Sequence, residues 1–356
     1  MKRIVSFLSL FCCAVLVMSQ EDRRVVSYNY TNKVVFSIKG NGTVNRFVAY
    51  LPVPQTNEYQ QVWRMDYHEG TIVKDKNYGN QMLYVDRASL PKRNYELGMT
   101  FDYIPISIKT DFTTITTIIE YDPQSYACQH HLGDRGDYIV TSNPQIQVIG
   151  DQLWAESSDV LDYARKCYEY VSSHFSYLKS DWRTLEQILI DGGGGSGDFT
   201  TLVVNLLRYK GIPSRHNICI TLDENYHVFA DFYLEGYGWI PLDATYKHEH
   251  PEGDYFGVYD GNCIVLGQDI LYDVDVYTPW PVDVLQTFEY YYTYSDSPCA
   301  IYAMTFLQNN GVSTANITPL KKIQSLDERN YNLQGQQVSD NYKGFVISNG
   351  RKSLRK

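Results

Sequence analysis

After residue 18 the chain has no apolar run long enough to span a bilayer, which excludes a membrane protein anchored by a later helix. Positive charge is scarce. Lys and Arg number 31 against 41 Asp and Glu, a net charge of −10, so there is no basic footprint for nucleic acid. Cysteine is also scarce, with seven in 356 residues. Two of them, Cys12 and Cys13, lie in the first apolar run. The remaining five are Cys128, Cys167, Cys219, Cys263 and Cys299, an odd set that cannot pair completely and whose spacing fits no metal motif. Cys167 and Cys219 read as buried small hydrophobes. No internal repeat is present, and no metal or organic cofactor is implied.

What is abundant is tyrosine, at 32 residues. Tyrosine suits strands and wet binding surfaces. With 44% hydrophobic and 20% charged residues, a packed core is expected rather than disorder. The length suits two domains plus tails. The start reads as an export signal over 1–19. Lys2 and Arg3 precede the apolar run Ile4 to Met18, and Val17-Met18-Ser19 supplies small residues before Gln20.

Residues 25–145 read as an N-terminal β-sandwich-like domain. Strand-like runs at Lys33–Lys39 and Val44–Leu51 flank Asn41-Gly42, a hairpin signal. Further strands are expected at Gln61–Tyr67, Gln81–Val85, Met99–Ile108 and Thr113–Tyr121. The period then becomes helical over Trp154–Phe175, again briefly at Leu185–Leu189, and again from Ser196 to Lys210, where Gly211 and Pro213 end it. A meander follows at Arg215–Leu222, Tyr226–Leu234 and Trp239–Ala244, inside a second domain over 150–305. Residues 309–325 read as a linker and 326–356 as a small C-terminal segment with a hairpin turning at Asn349-Gly350.

Three places carry chemistry. Ser196 opens a helix, His227 begins one strand, and Asp243 ends the next. A nucleophile at a helix start, a histidine opposite and a carboxylate behind it follow triad logic. Singly, each has an ordinary role: Ser196 as a helix cap, His227 as a strand residue, Asp243 as a turn residue.

The surrounding residues resemble the transglutaminase-like, papain-type core of many bacterial proteins. The resemblance rests on Gly195-Ser196-Gly197-Asp198-Phe199, Leu206-Leu207-Arg208, Gly211-Ile212-Pro213-Ser214-Arg215, His227-Val228-Phe229-Ala230-Asp231 and Gly238-Trp239-Ile240-Pro241-Leu242-Asp243. It implies an α+β fold: helices on an antiparallel sheet, preceded by the β-sandwich-like domain. It places Ser196 where the family has its nucleophilic cysteine, His227 at the catalytic histidine and Asp243 at the orienting aspartate. It also implies a core that acts on or binds peptide amides; a peptide, protein or glycan ligand fits the composition. This chain departs from the family in its serine and in the looser lead-in Gly192–Gly195. A serine hydroxyl ionises far above a thiol, so the thiolate–imidazolium route is closed to it. Two functions follow: a non-catalytic binding module, or a serine-dependent amidase, peptidase or acyltransferase. The tail, with Tyr331-Asn332-Leu333-Gln334-Gly335 and Lys343-Gly344-Phe345-Val346-Ile347, resembles the C-terminal sorting segments of secreted Bacteroidetes proteins.

Overall fold

The computed structural model describes residues 26–91, 94–179 and 182–313, and four short strands of the tail. The signal over 1–19 and residues 314–325 of the expected linker lie outside the described residues. In chain order the elements are β1 (Tyr28–Gly40), β2 (Thr43–Val53), β3 (Gln60–Tyr67), β4 (Thr71–Lys74), β5 (Gln81–Arg87), β6 (Tyr95–Pro105), β7 (Ile108–Lys109), α1 (Tyr126–His131), α2 (Pro144–Ala155) and α3 (Val160–His174). They continue with β8 (Ser176–Tyr177), α4 (Leu185–Asp191), β9 (Gly193–Gly194), α5 (Ser196–Tyr209), β10 (Ser214–Thr221), β11 (Tyr226–Leu234), β12 (Gly238–Leu242) and α6 (Ala244–Glu249). Last come β13 (Val258–Tyr259), β14 (Cys263–Gln268), β15 (Glu289–Ser295) and β16 (Cys299–Val312).

The α+β class and the β-rich N-terminal region are as the sequence leads one to expect. Two antiparallel sheets, ordered β16-β1-β6-β3 and β15-β2-β5-β4, face each other. Alternate inward residues fill the space between them, with Phe36, Phe47, Tyr95 and Phe101 at its centre. Truncating Phe36, fully buried against Phe47 at 4.9 Å between ring centroids, removes about 3–5 kcal/mol on the usual scale for core phenylalanines.

Four sequence expectations are corrected here. Asn41-Gly42 does not close a hairpin, because β1 and β2 belong to different sheets. The chain turns a corner against Ser297 and Pro298: a Cβ on Gly42 would stand 2.0 Å from the Ser297 carbonyl oxygen. The second correction concerns 289–312, assigned by sequence to the second domain and the start of the linker. β15 pairs with β2 and β16 with β1, so these strands complete the sandwich. Without them β1 and β2 would each leave an edge of unpaired N–H and C=O groups. The run Thr113–Tyr121 is also not a strand: a short 3-10 turn at Phe112–Thr114 leads into irregular chain. Trp154–Phe175 divides into α2 and α3, because Asp159 caps a new helix by accepting from the Asp162 N–H at 2.9 Å.

The meander is present as expected. β12, β11 and β10 run antiparallel, and β14 joins the far edge. Helix α5 packs on β10 and β11, with α2 and α3 on its other side, and this core is one continuous apolar cluster. The sandwich meets the core sheet through apolar side chains, Ile264 and Leu266 of β14 joining its cluster, and also through polar groups. Gln60 is fully buried and acts as a strand mimic for β14: its amide donates to the Val265 carbonyl at 2.7 Å and its oxygen accepts from the Val265 N–H at 2.8 Å. The Tyr59 hydroxyl donates to Asp231 at 2.8 Å, and Arg215 meets the same carboxylate at 3.0 Å while lying 3.9 Å from the centre of the Trp239 ring. Burial disfavours the Arg215 charge, yet Asp231 and Glu58 hold its pKa above the ordinary value.

The tail forms a separate unit. Its strands β17 (Asn330–Tyr331), β18 (Gln337–Val338), β19 (Gly344–Ser348) and β20 (Arg351–Arg355) are ordered β18-β17-β19-β20. β19 and β20 pair antiparallel about the expected turn, whose residues 349–350 lie outside the described residues.

Arg215 and Asp231 come from the two motifs quoted above, and their pairing is structural. Arg215→Ala would leave Asp231 buried without its counter-charge and should lower stability by about 3–5 kcal/mol. Equilibrium unfolding in urea measures this; a loss below about 1 kcal/mol would show that the pair does not hold sandwich and core together.

Candidate active site

Helix α4 ends at Gly192, which has φ of +67°, the left-handed conformation that glycine adopts without strain. The following glycines are not a loose lead-in. Gly193 and Gly194 pair in parallel with Ser176 and Tyr177, and a Cβ on Gly193 would sit 2.0 Å from the Ser176 carbonyl oxygen. A Cβ on Gly194 would collide with the Asp198 side chain, and one on Gly197 would meet the Trp182 ring at 2.8 Å. The glycines are present because the chain is packed too closely for anything larger.

Asp198, 2% exposed, locks the next step. It accepts from the Gly195 N–H at 3.0 Å and from Arg183 at 3.2 Å. Arg183 also bonds Asp191 and the Gly193 carbonyl. Gly195, rather than Ser196, is the helix cap, and Ser196 is the first helical residue. The opening N–H groups of such a helix have no partners within it and carry its positive dipole end.

Across from the helix start, His227 enters from β11 and Asp243 stands at the end of β12. His227 Nε2 and Asp243 Oδ2 are 2.5 Å apart. The other oxygen of Asp243 accepts from the Tyr246 N–H at 2.9 Å, so this aspartate caps α6 while holding the imidazole. Tyr246 stacks on the His227 ring, with 4.5 Å between centroids and 11° between planes. Burial works against a charged His227, but Asp243 outweighs it, with Glu249 adding to the effect, and the pKa is raised. Gln286 fixes the backbone from behind, donating to the carbonyls of Cys219 at 3.0 Å and His227 at 2.9 Å. Ser196 and His227 line one open cleft of about 790 Å³. Among the described residues no hydrogen bond joins the Ser196 hydroxyl to the imidazole.

Sequence reasoning singled out Ser196, His227 and Asp243 but missed Tyr246, Gln286 and Arg183. Tyr246 sits three residues after Asp243, the spacing of a capping aspartate and its first turn, and that was the readable signal. Gln286 and Arg183 lie outside every quoted motif. No group of His, Cys, Asp or Glu among the described residues could hold a metal ion. The five cysteines of the described chain are free and buried.

Behind α5 lies a second polar cluster. Asp269, fully buried, meets Arg208 at 2.6 Å, His131 at 2.9 Å and His216 at 3.5 Å. Burial opposes its charge, but Arg208 and the histidines keep its carboxyl well below the usual range. Thr201 on α5 joins the network through His216 at 3.0 Å.

Comparison with known proteins agrees with this architecture. Residues 148–244 match the model of the transglutaminase-like superfamily, and the chain carries a domain of that superfamily there. An uncharacterized protein of Haemophilus influenzae is 21% identical over 294 residues, covering 69% of this chain and 77% of that protein. A solved protein of Cytophaga hutchinsonii, provisionally named a cysteine protease, superposes with a TM-score of 0.52 at 11% identity, covering 80% of this chain and 91% of that one. The fold is what they share. The periplasmic domain of TgpA from Pseudomonas aeruginosa superposes at a TM-score of 0.33 and 12% identity, over 65% of this chain and 93% of that one, too distant for any conclusion.

The cluster behind α5 sets an acid limit. Burial, partly opposed by Asp269, lowers the His131 pKa to about 4. The unfolded chain takes that proton near 6.5, so it binds more protons than the fold between those values. The corresponding stability is present above pH 6.5 and is lost as pH falls towards 4, on the order of 3 kcal/mol. His216, also lowered by burial, acts with the same sign. Urea midpoints measured across that window should fall with acid, and His131→Gln should flatten the slope; an unchanged slope in the variant would place the acid sensitivity elsewhere.

Proposed function

We propose that this is an exported transglutaminase-like protein in which Ser196 occupies the nucleophile position, and that its cleft binds peptide or protein chains without turning them over. The observation that carries this reading is that, among the described residues, no hydrogen bond joins the Ser196 hydroxyl to His227. The imidazole Nε2 is held on Asp243, which raises the ring's pKa against the effect of burial. An imidazolium suits a thiolate partner, as in papain-type sites. A serine hydroxyl ionises far above a thiol and reacts only when an imidazole within hydrogen-bond reach takes its proton. The helix dipole does not close the gap, since it supplies only about 0.3–2 kcal/mol. The cleft, its aromatic walls and the positioned histidine all remain, which is what a binding module descended from an enzyme would keep.

A second reading is an active amidase, peptidase or acyltransferase using Ser196, His227 and Asp243. The intact His227–Asp243 bond favours it, because a carboxylate behind the imidazole is what a general base requires. Export rests on the first nineteen residues and on the tail's resemblance to sorting segments. No helix among the described residues is long and apolar enough to cross a membrane.

Restoring the thiol separates the two readings. Ser196→Cys should react with an alkylating probe at pH 7 at least about tenfold faster than Ser196→Cys/His227→Ala, as the helix end and imidazole lower the thiol pKa. Background should be small, because the five thiols among the described residues are buried. If Ser196→Cys labels no faster than the wild-type chain, the site geometry is not that of a nucleophile. Hydrolysis or amine exchange of pooled peptide amides by the native serine form would establish the second reading. Fractionation checks export: a mature chain beginning near Gln20 outside the cytoplasm is expected, and an uncleaved cytosolic chain would overturn it.

A further inference from the structure

The sandwich ends in four edge strands, β16 and β3 of one sheet and β15 and β4 of the other. An open edge presents unpaired N–H and C=O groups to any passing strand, and proteins blunt such edges with charges, bulges or shortness. Three of these edges are blunted. β3 carries Arg64 and Asp66, and its register breaks between Trp63 and Asp66. β4 has 4 residues and ends on Lys74. β15 begins with Glu289, and its register shifts between Thr293 and Tyr294. β16 is the exception. Its 14 residues contain no charged residue and no proline, and its register against β1 is unbroken from Cys299 to Asn309.

On the outer face of β16 the side chains of Tyr302, Met304 and Phe306 stand in a row, with Met304 62% and Phe306 40% exposed. Lys33 beside the row is paired with Glu96 at 3.0 Å and lies 5.8 Å from the centre of the Phe306 ring. Along the edge, the first residues are covered by β15. The Tyr290 hydroxyl donates to the Ile301 carbonyl at 2.9 Å, and the Tyr292 hydroxyl donates to the Cys299 carbonyl at 3.3 Å and accepts from the Ile301 N–H at 3.4 Å. The backbone groups of Cys299 and Ile301 therefore turn away from β1. By the alternation of an antiparallel ladder, so do those of Ala303, Thr305 and Leu307. Among the described residues no backbone hydrogen bond reaches these three on that open side.

We infer that β16 pairs antiparallel with β16 of a second copy of this chain, across a two-fold axis at Thr305. The chain's net charge of −10 makes two copies repel over most of their surface, so contact is favoured where neither presents a charge. A strand that pairs with itself across a two-fold axis is antiparallel, and the same patch serves both copies. The tyrosine cover on Cys299 and Ile301 leaves Ala303 to Leu307 as the stretch to be paired, which sets Thr305 opposite itself. Ala303 then lies across from Leu307 of the second copy. On the outer face each Met304 lies across from Phe306 of the other copy, a thioether against an aromatic ring. A foreign strand would use the same backbone groups, but it has no built-in match of side chains. The pairing joins two four-stranded sheets into one and covers the exposed row.

Sedimentation velocity on the full chain, loaded from about 1 to 200 μM, should show a monomer–dimer equilibrium with a dissociation constant on the order of 10 μM, as suits a small interface. Met304→Lys should weaken it at least about tenfold, because it brings an ammonium group to either side of the axis. Thr305→Pro removes an N–H on the open side only, where edge strands tolerate proline, and should abolish the dimer. An unchanged circular dichroism spectrum and urea midpoint show that each variant is folded. Thr305→Cys should cross-link two chains under mild oxidation, whereas Asp66→Cys on the β3 edge should not. Hydrogen exchange at Ala303, Thr305 and Leu307 should slow as the dimer fills. A monomer at every loading overturns the inference, whether those amides exchange fast, as at an open edge, or slowly, as at an edge covered by another part of the chain. A dimer indifferent to both Met304→Lys and Thr305→Pro, or one that does not cross-link through Thr305→Cys, overturns it as well.

Discussion

Helix α5 is enclosed by protein along nearly its whole length, so the polar side chains on it must find partners inside the fold. Asp198 finds Arg183 and the Gly195 N–H. Thr200 donates to the Val228 carbonyl at 3.2 Å, Asn205 donates to the Tyr138 carbonyl at 2.9 Å, and Arg208 holds the Ser214 carbonyl and Asp269. Each bond reaches a different neighbour: the glycine lead-in, the strand of the histidine, the turn before α2, and the loop after β14. A buried helix tied this way cannot rotate or slide without stranding several polar groups at once. The position of Ser196 relative to His227 follows from that constraint.

The chemistry follows from a division between positioning and reactivity. Asp243 serves two masters, the imidazole and the first turn of α6, and Tyr246 stacks on the ring from that same turn. The histidine is therefore oriented and charge-stabilised without any contribution from the residue at the helix start. Orientation of this kind survives exchange of a thiol for a hydroxyl. A hydroxyl and a thiol differ instead in how readily each gives up a proton to such a ring.

The core was legible in the sequence where local chemistry speaks. Gly211 and Pro213 stop α5, Asp223-Glu224-Asn225 turns between β10 and β11, and the glycines before Trp239 turn into β12. Helix α2 carried a signal that went unread, with Asn143 capping and Pro144 in the first turn. The sandwich was less legible because its partners are remote. Nothing near Asn41-Gly42 says that β1 and β2 part into different sheets; that is decided by Ser297 and Pro298. The alternating tyrosines of 289–295 announce a strand but not whose neighbour it is. Arg215 and Asp231 were read as motif residues, and only the fold shows that they meet Tyr59 of the sandwich rather than a substrate.

The closure of the sandwich has a consequence for how the molecule is made. Gly40 is paired with Cys299 and Tyr28 with Val312, so the first strand waits for the last before its sheet is complete. Emerging in order from a ribosome or a translocation pore, the chain must hold β1 and β2 with open edges while the whole helical core passes between them. Contacts this far apart in sequence are slow to form, and open edges invite pairing with other chains. The core, with its more local contacts, would take shape first and bring the two ends of the sandwich together. Such a protein favours assembly after complete delivery, with the enclosed core acting as a spacer that sets where the late strands land.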